Sequence, residues 1–237
     1  MIWIVDLSRV TVILPALNEA VALPTALASF PAEAGLLVVD NGSTDQTAAV
    51  AAALGAEVVH EPRRGFGAAC WAGVKAAPGE VVVFADADGS FDGADLPAVA
   101  GPVLAGEADL VVGSRMAQRE PGAMSALAVL ENRLLGLACH VLFGVPVTDL
   151  GPFRAIRRDR LLALGMTDRG GGWPLEMIGR AGRAGLRVAE VPVRYRSRAG
   201  GRSKVSGSVR GTVRAVAAMA AVTVALLRER RAGRTAG

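Results

Sequence analysis

Two cysteines, two histidines and two lysines are all that 237 residues contain of these types, and each shortage removes a class of chemistry. Cys70 and Cys139 sit inside apolar, helix-like patterns, which fits buried reduced thiols rather than a disulfide framework. His60 and His140 have no metal-ligand spacing and read as structural. Lysine is confined to Lys75 and Lys204, so 24 of the 26 basic residues are arginine. The net charge of +4 and pI near 9.8 follow from that habit and do not by themselves identify an anionic partner; nucleic acid is not expected. Met1 to Arg9 lacks the apolar run of a signal peptide, and with reduced thiols this leads us to expect a cytoplasmic protein. Between Ala215 and Leu227 the chain carries no charge, yet that run is too short for a bilayer span, which needs about 20 residues.

What is present is enough apolar sequence, 51%, for one substantial core. One domain over residues 1–206 is expected, with 207–237 as a C-terminal helix and basic tail. Strand patterns at Arg9–Pro15, Leu36–Val39, Glu57–His60 and Val81–Phe84 alternate with helical ones, the first opening at Asn18-Glu19 and running to Ser29. That alternation predicts a mostly parallel α/β sheet wound by helices, with ligands at the carboxyl ends of its strands. The unusual polar residues lie at those ends: Asn18, Glu19, Asp40, Arg63, Arg64, Asp86 and Asp88. Gly65-Phe66-Gly67 begins a Gly-x-Gly, but Cys70 holds the third glycine position and the motif follows the third strand, which argues against a dinucleotide site. Later patterns predict strands at Asp109–Ser114, Phe153–Arg157 and Arg187–Tyr195, and helices at Ser125–Phe143, Arg158–Leu164 and around Glu176, the last preceded by a mobile Gly170-Gly171-Gly172 loop.

The centre of the reading is Val81-Val82-Val83-Phe84-Ala85-Asp86-Ala87-Asp88-Gly89, a buried strand ending in two carboxylates. Side chains two apart share a face, so Asp86 and Asp88 form a hard-oxygen site suited to Mg²⁺ or Mn²⁺, an ion that takes its other ligands from water and a diphosphate. Taken alone, the tetrapeptide also suits a solvated turn.

Seven segments in order carry a resemblance. Pro15-Ala16-Leu17-Asn18-Glu19, Val39-Asp40-Asn41-Gly42-Ser43-Thr44-Asp45 and Asp86-Ala87-Asp88-Gly89 resemble the N-terminal signatures of family 2 glycosyltransferases of the GT-A fold. Val112-Gly113-Ser114-Arg115, Thr148 to Arg154, Leu175-Glu176-Met177, and Glu190 to Val193 followed by Gly201-Arg202-Ser203-Lys204 resemble the polyprenyl-phosphate sugar synthases within it. Asn41, where many members have a second aspartate, and Pro152 depart from the pattern. The resemblance implies an inverting, metal-dependent transfer from a nucleoside-diphosphate sugar to a polyprenyl phosphate at the inner membrane face. Pro15, Leu17, Glu19 and Asp40 would frame the nucleoside, with Asp86, Ala87 and Arg115 also on the donor side and the metal on Asp86 and Asp88.

The acceptor determines what else is required. A hydroxyl nucleophile needs a general base, for which Asp149 and Glu176 are the candidates; an ionised phosphate needs cations instead, for which Arg133, Arg154, Arg202 and Lys204 are the candidates. A soluble hydroxyl acceptor is the competing reading. A nucleotidyltransferase would need a basic glycine-rich loop where Ala16-Leu17-Asn18-Glu19 stands, and a sugar-nucleotide binding module without catalysis is the remaining alternative. Arg198 to Gly207 has no apolar face and is expected to order over bound ligand, and the helix from Ser208 to about Arg231 is the candidate for packing on the domain, pairing with a copy, or a peripheral membrane contact.

Overall fold

A computed structural model describes residues 5–200 and 220–226. Its first half alternates β1 (Val10–Ala16), α1 (Leu23–Ala28), β2 (Gly35–Asp40), α2 (Thr47–Ala53), β3 (Glu57–His60), α3 (Phe66–Ala76) and β4 (Val81–Phe84). After α4 (Leu96–Leu104) come β5 (Leu110–Arg119), α5 (Ala126–Phe143), β6 (Arg154–Arg157), α6 (Arg158–Ala163), α7 (Trp173–Arg183) and β7 (Val188–Tyr195). The strands form one sheet in the order β3-β2-β1-β4-β6-β5-β7, with β6 antiparallel to both neighbours and every other pairing parallel. From β1 the chain winds outward through β2 and β3, then returns to place β4 on the other flank of β1. That reversal is the crevice where open α/β sheets bind ligands.

Alternation along each strand feeds two cores, one on each face of the sheet. Val81 and Val83 join Val12, Leu14 and the apolar faces of α1 and α4, whereas Val82 and Phe84 join Ile13, Val39, α3 and α7. Central strands buried on both faces explain their unbroken β-branched runs.

The expected strands are all present, with three differences elsewhere. Helix α1 starts at Leu23, not Asn18, because Asn18 adopts a left-handed φ of 52° and Glu19 to Ala22 form a separate turn. Helix α4 was not among the expected elements; Pro97 sits harmlessly in its first turn and Pro102 near its end, where little ladder is lost. The 170–172 segment is pinned rather than mobile: Gly170 N–H donates to Asp168 Oδ1 (2.8 Å), and the Gly170 carbonyl accepts from Gly67 N–H (2.9 Å).

Residues 220–226 are helical and dock on the domain. Val222 and Leu226 are buried in the same core as Trp173 and Ile178, and Arg183 Nη1 donates to the Leu226 carbonyl (3.1 Å). Of the three fates expected for the C-terminal helix, packing on the domain is the one its described turn adopts. Cys70 and Cys139 are free and buried, and burial pushes both thiols up, Cys139 to about 11.

Candidate active site

The loops after β1 and β2 are sewn together by their own polar side chains. Asn18 N–H donates to Ser43 Oγ (2.9 Å), Thr44 N–H to Asn18 Oδ1 (2.7 Å) and Glu19 N–H to Thr47 Oγ1 (2.9 Å). Pro15 and Leu17 are half-buried along this edge. Asp40 accepts from Ser43 N–H (2.9 Å) and lies 3.2 Å from His60 Nδ1. Burial raises its pKa, but the bonds from Ser43 and His60 outweigh that and leave it below the ordinary value, so Asp40 is an ionised acceptor.

Asn41 explains its own departure from the family pattern. Its amide nitrogen donates to the carbonyls of Glu61 (2.9 Å) and Arg63 (2.8 Å) while its oxygen accepts from Gly65 N–H (2.8 Å). An aspartate could make only the last of these. The glycines at 65 and 67 are equally structural: a Cβ at Gly65 would lie 2.1 Å from the Arg169 carbonyl oxygen, and one at Gly67 would lie 2.7 Å from that of Asp168. The first N–H groups of α3 go to the carbonyls of Gly170 and Arg169, not to a phosphate, which gives the physical reason that the partial Gly-x-Gly is no dinucleotide cradle.

Asp86 and Asp88 emerge from β4 with Ala87 buried between them. Asp88 is buried; its Oδ1 accepts from Ser90 N–H (2.9 Å) and its Oδ2 lies 3.0 Å from Arg198 Nε. The same guanidinium reaches Glu19 Oε1 (3.1 Å). Burial first, and the Asp88 charge second, push Asp86 up to about 7. Two carboxylates in that relation cannot both ionise comfortably without a cation between them. Two neighbouring hard-oxygen carboxylates whose mutual repulsion a cation would relieve, one of them already drawing in the Arg198 guanidinium as a counter-charge, suit Mg²⁺ or Mn²⁺, so Asp86 and Asp88 fit the ion. Among the described residues no third His, Cys, Asp or Glu completes a metal cluster, and the remaining coordination positions would fall to water and phosphate.

Arg198 was not singled out as a site residue. Its signal was available: Arg194, Arg196 and Arg198 alternate along an extended segment, so they share a face. Each meets acid from the loop after β4, Arg194 pairing with Asp92 (2.9 Å) and Asp95 (2.7 Å), Arg196 with Asp92, and Arg198 with Asp88. Ala199 N–H then donates to the Asp88 carbonyl (3.0 Å), so residues 198–200 already lie on the aspartate loop. Arg202 and Lys204, and the remainder of the expected ordering loop, lie outside the described residues.

On the other side of the site, three of the expected residues are engaged inside the protein. Asp149, a candidate base, is fully buried and grips Arg115 twice, Oδ2 to Nε (2.7 Å) and Oδ1 to Nη2 (2.6 Å), while also accepting Arg115 N–H (2.9 Å). Burial opposes the Arg115 charge, but Asp149 more than offsets it and holds that pKa above the usual value. Asp149 therefore aims Arg115, whose carbon Cζ lies 5.2 Å from the Tyr195 ring centroid and whose Nη2 reaches Asn132 Oδ1 on α5 (3.4 Å). Glu176, the second candidate base, is buried and accepts from Thr167 N–H (3.0 Å), Thr167 Oγ1 (2.7 Å), Asp168 N–H (2.8 Å) and Arg180 Nε (2.8 Å). Burial raises its pKa, yet those donors win and leave it below the ordinary value, opposite to what a base poised near neutrality needs. Arg154, a candidate phosphate ligand, is 1% exposed and spends its guanidinium on the carbonyls of Gly151 (3.1 Å), Leu150 (2.9 Å) and Pro174 (2.9 Å). It staples the Asp149 loop to the start of α7. Of the candidate acceptor cations, Arg133 alone among the described residues faces solvent, where it lines a groove with Arg119.

The family model for glycosyl transferase family 2 matches residues 11–162, which hold both aspartate signatures and the Arg115–Asp149 pair. The chain is a family 2 glycosyltransferase. An uncharacterized glycosyltransferase of Mycobacterium tuberculosis is 48% identical to it over 210 residues, 87% of this chain and 94% of the relative. The undecaprenyl-phosphate mannosyltransferase of Micrococcus luteus is 33% identical over 223 residues, 86% of this chain and 90% of the relative. Among solved structures, glucosyl-3-phosphoglycerate synthase from M. tuberculosis in complex with Mn²⁺, uridine diphosphate and phosphoglyceric acid superposes with a TM-score of 0.71 at 27% identity, over 90% of this transferase and 78% of that chain.

Proposed function

We propose that this glycosyltransferase moves a hexose from a nucleoside-diphosphate sugar to a polyprenyl phosphate, with inversion at the anomeric carbon. The observation that carries the reading is the fate of Asp149 and Glu176. Both carboxylates that the motifs offer as bases are buried and fully engaged as hydrogen-bond acceptors, which suits a nucleophile that arrives ionised. A phosphate monoester needs no base; it needs cations, and Arg115 and Arg133 stand on that side of the site.

Asp40 would accept from the nucleobase, with Pro15, Leu17 and Glu19 beside it, and Asp86 and Asp88 would hold Mg²⁺ or Mn²⁺. The ion supplies positive charge for the departing diphosphate. Arg115, locked by Asp149 and Asn132, keeps a fixed positive charge beside the reacting groups at no cost of reorganisation. A phosphate oxygen of the acceptor forms the new bond to the anomeric carbon as the bond to the donor diphosphate breaks on the opposite face. The nucleoside diphosphate leaves and no proton is transferred to the protein. Ion and diphosphate on the mycobacterial synthase, and the undecaprenyl-phosphate mannosyltransferase identity of the micrococcal relative, support the two halves of this reading.

A second reading, a soluble acceptor attacking through a hydroxyl, has a specific observation in its favour: that synthase is seen with phosphoglyceric acid. Purified protein, Mn²⁺ and nucleotide sugars should be offered a short-chain polyprenyl phosphate, the corresponding free alcohol and phosphoglycerate. Transfer to the lipid phosphate alone is expected, with Glu176→Gln retaining it within about tenfold. Transfer to a hydroxyl acceptor, with Glu176→Gln losing about two to four powers of ten as a base would, establishes the second reading instead.

A further inference from the structure

Helix α5 presents an apolar stripe that no other described residue covers. Leu127, Leu130, Leu134, Leu137 and Val141 recur at alternating steps of three and four, and are 61, 53, 58, 59 and 70% exposed. That spacing places all five on one face. The opposite face is fixed against the protein: Cys139 is buried, and a Cβ at Gly136 would lie 2.4 Å from the Val147 carbonyl oxygen. The helix cannot roll to hide its leucines.

We propose that this face of α5 seats the enzyme on an anionic lipid bilayer, and that α5, not the C-terminal helix, is its membrane contact. The described turn of the C-terminal helix already turns Val222 and Leu226 into the core, while α5 keeps its apolar side chains outward. Arg133 lies along one edge of the stripe, and with Arg119 it lines an open groove of about 710 Å³ whose walls include Met116, Met124 and Val129. Glu131 is the one acid on the helix. An apolar stripe with arginines at its margin complements a surface of acyl chains below phosphates.

Size decides against two other fates. At 18 residues the helix is about 27 Å long. It is anchored lengthwise on the domain, so it lies in the interface and does not cross the roughly 30 Å hydrocarbon layer. Its footprint, about 27 by 10 Å, is a fraction of the roughly 800 Å² per partner of a stable protein interface, so a second copy docked on this helix alone falls short.

The placement has a consequence for the site. Asn132, on the inner side of the same helix, touches Arg115. The lipid surface is then separated from the catalytic arginine by about one helix diameter, roughly 10 Å, and a phosphate in the head-group plane enters the Arg119–Arg133 groove without leaving the membrane. The inference rests on the lipid-phosphate reading for its purpose, but its test does not.

Full-length protein, without donor or acceptor, is floated with phosphatidylcholine vesicles containing or lacking phosphatidylglycerol. The wild type should float with the anionic vesicles, and Leu130→Glu/Leu134→Glu/Leu137→Glu should lower the partition coefficient by ~1000-fold, since each of the three buried leucines contributes roughly tenfold or more. Leu134→Trp tests the same face without loss of fold: its added fluorescence should shift to the blue on vesicles. Flotation of the triple variant equal to wild type, an unshifted tryptophan, or no flotation of wild type overturns the proposal. A wild-type dimer that the triple variant converts to monomer, with no lipid binding, assigns the stripe to a second copy and overturns it as well. Transfer to a detergent-solubilised polyprenyl phosphate is measured separately, so loss of the acceptor reading and loss of the surface are distinct results.

Discussion

The donor and acceptor halves of the site solve opposite problems. Around β1, β2 and β4 the polar side chains bond to one another across loops, as Asn18, Ser43, Thr44 and Thr47 do, and the carboxylates of Glu19 and Asp88 converge at the crevice on one guanidinium, that of Arg198. Around β5, β6 and α5 the carboxylates are consumed inside, Asp149 by Arg115 and Glu176 by Thr167, Asp168 and Arg180, and what faces outward is arginine and leucine. The first half is preorganised for a small, soluble, charged ligand. The second half is a surface, and a surface is completed by what it lies against.

The largest effect should come from cutting the comparison at Asp88. Asp88→Asn removes one of the two carboxylates proposed to hold the cation and should lower transfer by about 10²- to 10³-fold. Calorimetric titration of a nucleoside diphosphate with Mn²⁺ or with chelator should show the metal dependence of wild type vanish in the variant, while vesicle flotation is unchanged. Metal-dependent binding that survives the substitution contradicts the assignment of Asp88.

On the acceptor half the expected loss is of stability before chemistry. Asp149→Asn leaves Arg115 charged and nearly buried without its counterion, at a cost of about 3–5 kcal/mol in denaturant unfolding. Arg154→Met deletes donors to three carbonyls and should cost less, about 1–3 kcal/mol, with the acceptor KM of the surviving enzyme near wild type. An Arg154 variant that unfolds normally but binds acceptor tenfold worse returns Arg154 to the phosphate site.

Legibility in the sequence divides along the same line. The parallel half was readable because buried strands announce themselves, Val81 to Phe84 most plainly, and because the candidate acids follow strand ends, where such sheets bind ligands. Motif residues of the second half were readable as important but not as to role. Asp149, Arg154 and Glu176 look like reactive groups in a string of letters, and only their partners, Arg115, the carbonyls of 150, 151 and 174, and the 167–168 turn, reveal them as supports. The α5 stripe was written in the spacing of Leu127 to Val141, yet helical periodicity does not distinguish a face turned to the core from one turned to a membrane. Asn41 stood out only as a departure from the family's aspartate, and its amide supplies two donor bonds that an aspartate could not.

The smallest effect, and the sharpest for the boundary between the halves, belongs to Arg198. Its guanidinium bridges Glu19 (3.1 Å) and Asp88 (3.0 Å), so in the ligand-free protein it competes with any divalent ion for Asp88. The pair is a quarter exposed on the arginine side, which limits its worth to about 1 kcal/mol. Arg198→Ala should therefore tighten Mn²⁺ binding without nucleotide by no more than about fivefold, read from the free-ion electron spin resonance signal. Arg198→Lys, keeping charge but losing the fork that spans both carboxylates, should fall between the two. Once a diphosphate brings its own negative charge, the arginine has a second partner and the advantage of the alanine variant should shrink or reverse. If alanine weakens Mn²⁺ binding even without nucleotide, Arg198 is ordering the aspartate loop through Ala199 and the Asp88 carbonyl, and competition for the carboxylate is not its role.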